Sequence, residues 1–265
     1  MIKIEISSQE FTTLQKLIFK EVGISLADSK KTMVQSRLHK RLIHYKLDSF
    51  SQYLRIVQIT LTEKIEMINL ITTNETYFFR EEAHFDFISS LLNKDVASLR
   101  IWSAASSVGA EAYSLAMMID TALGKDKWEI VGSDINSEVV KKARMGLYPL
   151  SWITKIPDEY KSRYCLKGKG KYEGQFLIER SLSPNMHFLE NNLLEQNSSL
   201  GEFDVIFLRN VLLYFSDETK ELVVKNVISN LKVGGFLIIS LTENINSVKL
   251  ENLQQIQTSV FQKTS

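Results

Sequence analysis

The sequence is poor in several things, and each shortage excludes something. Its 265 residues include one cysteine, Cys165, so no disulfide can form within the chain and a reducing compartment, the cytoplasm, is the natural expectation. Three prolines and eleven glycines are too few for a collagen-like or linker-rich chain. No apolar run approaches the ~20 residues of a membrane span. The opening MIKIEISSQEF carries charges where a signal peptide has its apolar core. Net charge is almost absent, at +1, so the total does not suggest a nucleic-acid binder, although a local patch can hide in it. What remains is ordinary for a globular protein: 44% apolar and 24% charged residues, in a length that allows one or two domains.

The first third has helical spacing. Phe11, Leu14, Leu17, Ile18 and Val22 share a face, and Gly23 closes that helix. Asp28 or Ser29 can cap a second helix, Ser29–Leu47, with Val34, Leu38, Leu42 and Tyr45 along one stripe. Two more amphipathic stretches lie near Phe50–Ile59 and Glu63–Thr72, and no strand pattern is seen before about residue 98. From there short apolar runs alternate with helices. Strands are expected at Leu99–Ala104, Glu129–Ser133, Phe203–Leu208 and Phe236–Leu241. Helices are expected at Ala110–Leu123, Ser137–Met145 and Glu218–Leu231, with a turn at Val233-Gly234-Gly235. This rhythm predicts an α/β fold with a doubly wound parallel sheet, whose ligand lies at the strand C-termini. Residues from about 148 to 186 break the rhythm. Their polar, glycine-punctuated centre, CLKGKGKYEGQFLI, predicts a small antiparallel insert with strands at Arg163–Leu166 and Gln175–Ile178.

Four constellations carry chemistry. SAASSVGAEAYSLA (103–116) takes a strand through a small-residue loop with Gly109 into a helix. That arrangement brings a nucleotide-like cofactor to backbone amides, although a plain strand–helix turn looks similar. Asp134 ends the next strand and can accept hydrogen bonds from ribose hydroxyls, or it can cap the helix from Ser137. TTNETYFFR (72–80) joins the helical part to the sheet; Phe78 and Phe79 read as packing residues, while Asn74, Thr76 and Arg80 have no core role. In FDVIFLRNVLLYF (203–215), Arg209-Asn210 follows directly on a buried strand, and Tyr214 reads either as a site residue or as a core aromatic.

Together these strings resemble the chemotaxis receptor methyltransferases, the CheR family. TTNETYFFRE resembles its junction, IWSAASSVGAEAYSLAMMI its cofactor loop, and IVGSDINSEVVKKARMGLY its ribose-binding strand and helix. NNLL (191–194), FDVIFLRNVLLYF, TENI (242–245) and the closing TSVFQKT resemble its later motifs, so the resemblance runs nearly end to end. It implies a class I S-adenosylmethionine-dependent methyltransferase domain over 73–265, behind an all-helical substrate-docking domain over 1–72, with a β-subdomain insert at about 150–186. The implied activity is esterification of glutamate side chains of bacterial chemoreceptors, leaving S-adenosylhomocysteine, with no metal. The implied cofactor contacts are Asn74, Thr76, Arg80, Glu111 (methionine amino group), Asp134 (ribose), Asn192 and Leu193 (adenine), and Arg209 with Asn210 closing the pocket. Arg80 and Tyr214 would orient the accepting carboxylate, which is already ionised at neutral pH because a free Glu has a pKa near ~4.3. His84, just beyond the junction, reads as a helix residue.

The second helix holds six Lys/Arg and no Asp/Glu, and Arg37, Lys40, Arg41 and His44 are expected on one face. A solvated face and a phosphate-binding face are both open on composition; the resemblance implies docking of the receptor's acidic methylation helix. The insert matches the family's β-subdomain, which in some members tethers the receptor's C-terminal peptide. Leu177 stands where tethering members tend to have a basic residue. The chain also departs from the family at Ala105-Ser106 (usually Gly-Cys), Ala110-Glu111 (usually two glutamates), Ala112 (usually proline) and Ser240-Leu241 (usually Gly-His). These departures remove no essential donor but keep the alternative reading open, an S-adenosylmethionine-binding signalling or adaptor protein with weak or no transferase activity. A nucleic-acid methyltransferase is disfavoured: no Pro-Pro follows the Asn of LRN, and Cys165 lies in the insert. A monomer is the default expectation.

Overall fold

A computed structural model describes residues 4–92, 98–248 and 252–265; the first three residues of the opening segment lie outside it. Four helices come first: α1 (Ser8–Val22), α2 (Lys31–Tyr45), α3 (Phe50–Ile59) and α4 (Leu61–Ile71). Ser7 starts α1 with a capping box, its hydroxyl accepting the Glu10 N–H at 3.2 Å while the Glu10 carboxylate accepts the Ser7 N–H at 2.8 Å. Gly23 stops it at φ 72°, where a Cβ would stand 2.8 Å from Leu194 and from Thr219, so both handedness and space demand glycine. The apolar faces Phe11/Leu14/Ile18, Val34/Leu38/Leu42 and Met67/Ile68/Ile71 close on one another as a separate core. Two expectations are corrected here. Neither Asp28 nor Ser29 caps α2, because a 3-10 turn at Asp28–Lys30 runs straight into it. Tyr45 leaves the apolar stripe, and its hydroxyl donates to Glu63 at 2.9 Å.

After α5 (Glu82–Leu91) the chain alternates: β1 (Leu99–Ala104), α6 (Ala110–Leu123), β2 (Trp128–Asp134) and α7 (Ser137–Met145). The insert supplies β3 (Leu147–Pro149), α8 (Asp158–Tyr164), β4 (Cys165–Lys167) and β5 (Gln175–Ile178). Then come β6 (Met186–Glu190), β7 (Phe203–Leu208), α9 (Asp217–Ser229), β8 (Leu231–Ile239), β9 (Leu253–Gln257) and β10 (Val260–Lys263). The main sheet runs β6-β2-β1-β7-β8-β10-β9. Its first five strands are mutually parallel and β10 is antiparallel to both neighbours. Side chains alternate across it: Ile101, Ile130 and Val205 pack with α5 and α6, while Trp102, Val131 and Ile206 pack with α9. Helices thus cover both faces, as a buried parallel sheet requires.

The doubly wound sheet follows the apolar runs, with local differences. Val233–Gly235 is not a turn between elements: β8 is continuous from Leu231, and the glycines absorb a bulge between the Phe203↔Leu231 and Val205↔Phe236 pairs. The strand expected at Arg163–Leu166 is Cys165–Lys167, because Arg163 and Tyr164 end α8 and reach back to Asp120 at 2.8 and 2.7 Å. The insert's sheet, β3-β5-β4, starts at Leu147, ahead of the expected edge. Met186–Glu190, assigned no element from sequence, is the outer strand of the main sheet, paired in parallel with β2.

Candidate active site

Five strand C-termini meet at one edge, and the loops leaving four of them, β1, β2, β6 and β7, line a cavity of about 420 Å³. That volume lies in the ~300–1,000 Å³ range of small-molecule sites. Residues 105–109 follow β1. Gly109 takes φ 85° as the start of α6, with Ala143 and Phe188 at 3.0 and 3.1 Å from where a Cβ would sit. Its place lets Glu111 stand in the first turn of α6. Asp134 is the last residue of β2; residues 191–193 follow β6, 209–214 follow β7 and 240–243 follow β8. The helical domain closes the cavity on another side, where Val22, Ile24, Ser25, Leu26 and Met33 line it. The segment after α1 is fastened there by the Ile24↔Phe215 bridge and by the Ser25 N–H donating to the Tyr214 carbonyl at 2.8 Å.

Asn74, Thr76, Arg80, Glu111, Asp134, Asn192, Leu193, Arg209, Asn210 and Tyr214 all line this one cavity. Asp134 does not cap α7; the cap is Asn136, whose Oδ1 accepts from Glu138 and Val139. Asp134 instead accepts the Ser107 and Asn136 N–H groups at 2.9 Å each. Its carboxyl is pushed up by burial, and the backbone N–H groups of Asn136, Ser107 and Ile135 oppose that shift. Arg80 is half-buried, its Nη1 donating to the Glu75 carbonyl at 3.1 Å and its guanidinium lying over Tyr77. Phe78 and Phe79 are packing residues: Phe78 meets Tyr148 edge-on and Phe79 stacks on Tyr160. The Tyr214 hydroxyl is pushed up by burial, a direction Glu243 and Glu75 reinforce and Arg80 and Arg37 oppose. It is therefore a donor at neutral pH.

Arg209 lies beneath the cavity, its side chain only 1% exposed. Nη1 donates to Glu111 Oε2 at 2.8 Å, Nη2 donates to the Arg80 carbonyl at 2.5 Å, and Nη2 stands 3.2 Å from Glu81 Oε2. Sequence reasoning missed Glu81. Burial is the largest single influence and raises its carboxyl, but the Arg209 charge, the Leu241 N–H, Ser240 and Asn210 together outweigh it and bring it down to about 2. It also missed Glu243, which accepts from the Asn210, Ser240 and Leu213 N–H groups and is pushed up by burial. The signal for each was adjacency: Glu81 follows Arg80 in TTNETYFFRE, and Glu243 sits in TENI. Among the described residues, five of the seven non-glycine positive-φ positions fall in these loops: Phe79, Glu81, Ala105, Ser107 and Asn210. Such conformations persist only where the surroundings over-determine them, and this carboxylate–guanidinium framework does so.

Arg37 and Arg41 are not on a free face. Arg37 Nη1 donates to the Ile71 and Thr72 carbonyls at 2.7 and 3.1 Å, closing the end of α4. Arg41 forms a two-pronged pair with buried Glu63 at 2.8 and 2.5 Å. Lys40 and His44 are exposed.

The cavity fits S-adenosylmethionine on its donor set. Glu111 presents a carboxylate for an ammonium, Asp134 one for ribose hydroxyls, and Leu193 and Ile135 give apolar wall for a purine. The buried Asn191 Nδ2 has no hydrogen-bond partner among the described residues.

Residues 9–72 match the family model of the CheR methyltransferase all-alpha domain, and residues 74–261 that of the CheR methyltransferase SAM binding domain. The chemotaxis protein methyltransferase of Salmonella typhimurium is 36% identical over 254 residues, covering 94% of this chain and 88% of its own. That of Borreliella burgdorferi is 31% identical over 278 residues, covering 99% and 96%. Chemotaxis protein methyltransferase 2 of Pseudomonas aeruginosa is 36% identical over 242 residues, covering 89% and 86%. The matches run through the helical domain and through every loop that lines the cavity, and the chain belongs to the CheR methyltransferase family, with its S-adenosylmethionine-binding domain.

Proposed function

We propose that the protein transfers a methyl group to glutamate carboxylates of bacterial chemoreceptors, in the cytoplasm, as a monomer. S-adenosylmethionine supplies the methyl as an electrophile on a sulfonium. The accepting carboxylate is ionised at neutral pH, so no residue has to remove a proton. His84 agrees with that: burial and the Arg209 charge bring it down to about 4 against a smaller opposing pull from Glu81, so it is neutral, and it lies outside the cavity lining. What the chain supplies is alignment, which is worth roughly 7–11 kcal/mol when complete. Arg80 can hold a carboxylate in two-pronged fashion, and Tyr214 can donate to its free oxygen. The observation that carries this reading is that both line the cofactor cavity, close enough for the Arg80 charge to act on the Tyr214 phenol.

The receptor's acidic methylation helix docks along the exposed face of α2. Lys40 is its exposed contact, while Arg37 and Arg41 hold α2 against α4. The insert offers β4 as an edge for a receptor C-terminal peptide. No described helix is long and apolar enough to cross a membrane, so the receptor brings the enzyme to the membrane surface.

The test is a radiolabelled-methyl assay on chemoreceptor-rich membranes. Label on the receptor that base releases as methanol is a carboxyl ester and supports the reading. Base-stable label, or cofactor binding without transfer, overturns it.

A further inference from the structure

Three carboxylates line the cavity among the described residues, and they are not alike. Glu111 is held by Ser103 Oγ at 2.7 Å and by Arg209 Nη1 at 2.8 Å. Asp134 is buried and accepts backbone N–H groups. Glu75 is the third. It is exposed, and among the described residues its carboxylate accepts no hydrogen bond and joins no ion pair. What the residue does accept is the Arg80 Nη1–H at 3.1 Å, on its backbone carbonyl.

A solvated carboxylate elsewhere on the surface needs no explanation. The surroundings of Glu75 give it one. Arg80 and Tyr214, the two groups that would orient the accepting carboxylate, line the same cavity. The Glu75 charge reaches the Tyr214 phenol, where it acts with Glu243 and against Arg80 and Arg37. Glu75 is thus a negative charge beside the place where a negative substrate group must sit.

The balance of charge decides what such a residue can do. The acceptor brings one negative charge and Arg80 one positive, so the acceptor is matched. Lys30 belongs to the helical-domain wall and forms no ion pair with Glu75 among the described residues. A second substrate carboxylate beside the acceptor therefore meets Glu75 as a like charge. In a cleft partly closed to water that repulsion is stronger than in bulk, and a repulsive element of this kind discriminates between substrates as well as an attractive one does.

We infer that Glu75 is a specificity-determining residue, whose carboxylate selects, among glutamates on an acidic receptor helix, those whose neighbours on the same helix face are uncharged. On a helix these neighbours stand three and four positions away. The inference rests on the transfer reading above and adds to it a choice between acceptors.

The test is methyl transfer at low ionic strength to receptor fragments with one acceptor glutamate. In one fragment the residues three and four positions to either side are glutamine. In the other they are aspartate, and the ester is located by mass spectrometry. The quantity read is the ratio of kcat/KM, glutamine-flanked over aspartate-flanked. The ratio for the wild-type chain is expected to be about tenfold larger than for Glu75→Gln, and Glu75→Lys to lower it further. Comparing the two enzymes cancels what the aspartates do to docking elsewhere, and added salt should shrink the difference. Glu75→Gln should keep its melting temperature, since the carboxylate holds nothing in the fold. Ratios within twofold of one another for wild type and Glu75→Gln overturn the role. So does a loss of S-adenosylhomocysteine affinity in that variant, which would make Glu75 a cofactor contact instead. A wild-type chain that methylates neither fragment overturns the transfer reading itself, and the Glu75 role with it.

Discussion

Arg209 donates from Nη2 to the backbone carbonyl of Arg80 at 2.5 Å, so the half-buried arginine of the cavity wall is held from below by the buried arginine of its floor. The same guanidinium holds Glu111 at 2.8 Å and neutralises Glu81. Arg209 therefore couples the cofactor end of the site to the turn that carries Arg80. Removing it leaves two carboxylates near one another without their cation. Arg209→Met is expected to destabilise the fold by roughly 3–5 kcal/mol, read by urea unfolding, and Arg209→Lys to recover part of that. A methionine variant as stable as wild type would refute the positioning role.

Arg80 itself is different, because its side chain supports little else. Among the described residues its one hydrogen bond is to the Glu75 carbonyl, so Arg80→Ala is expected to keep its melting temperature. Turnover should fall on the order of 10²-fold from lost alignment, and more steeply than affinity for S-adenosylhomocysteine. Single-turnover methylation and calorimetry on the same variant separate the two; near-normal turnover would remove Arg80 from the site.

Acid stability should carry the mark of His84. Its folded value is about 4 against an ordinary 6.5. Between those values the unfolded chain binds a proton that the folded chain does not, so this contribution is complete above pH 6.5 and is lost as pH falls toward 4. Glu81, ordinarily 4.5 and here about 2, acts lower down, its contribution lost as pH falls from 4.5 toward 2. His84→Gln can keep the 2.7 Å contact with Ser259 Oγ. It should flatten the wild-type slope between pH 6.5 and 4 while leaving the lower limb. Parallel unfolding curves for the two proteins across that window would contradict the assignment.

The sheet was legible because its strands are short apolar runs ending in small or polar residues, and Asp134 and Arg209 follow from where such runs stop. The edge strand Met186–Glu190 was not, because MHFLE is half-exposed and follows the polar insert without a break in composition. Glu81 and Glu243 escaped for another reason. Their roles come from partners 128 and 33 residues away, Arg209 and Asn210, and local pattern does not encode that meeting. The basic face of α2 was legible as charge but not as geometry: a half-buried arginine and a solvated one look alike until Glu63 and the end of α4 are in place.

Ala105 shows what a departure from the family pattern does to the backbone. It sits at φ 60°, the left-handed region where a Cβ costs roughly 1–2 kcal/mol and glycine pays no such penalty. Its neighbour Ser106 carries a buried hydroxyl with no partner among the described residues. Ala105→Gly is expected to stabilise the chain by about 1 kcal/mol, and Ser106→Cys to add to it by removing an unpaired hydroxyl. Both are read as a higher denaturation midpoint with an unchanged slope. A lower midpoint for Ala105→Gly would mean that the loop is not under strain.

The cations of α2 should separate into two kinds. Arg41 pairs with Glu63, whose residue is 2% exposed and whose carboxyl is lowered because Arg41, Tyr53 and Tyr45 outweigh its burial. Arg41→Met strands that carboxylate and should destabilise the helical domain by roughly 3–5 kcal/mol; Arg41→Glu should do more. Lys40 is exposed, so Lys40→Glu should melt like wild type. If receptor helices dock along α2, Lys40→Glu should nonetheless raise the KM for receptor, more at low salt than at high, with S-adenosylhomocysteine affinity unchanged. A Lys40→Glu enzyme with wild-type receptor KM at low ionic strength would move the docking surface off this helix, whatever Arg41 variants do, because their loss of receptor methylation is already explained by unfolding.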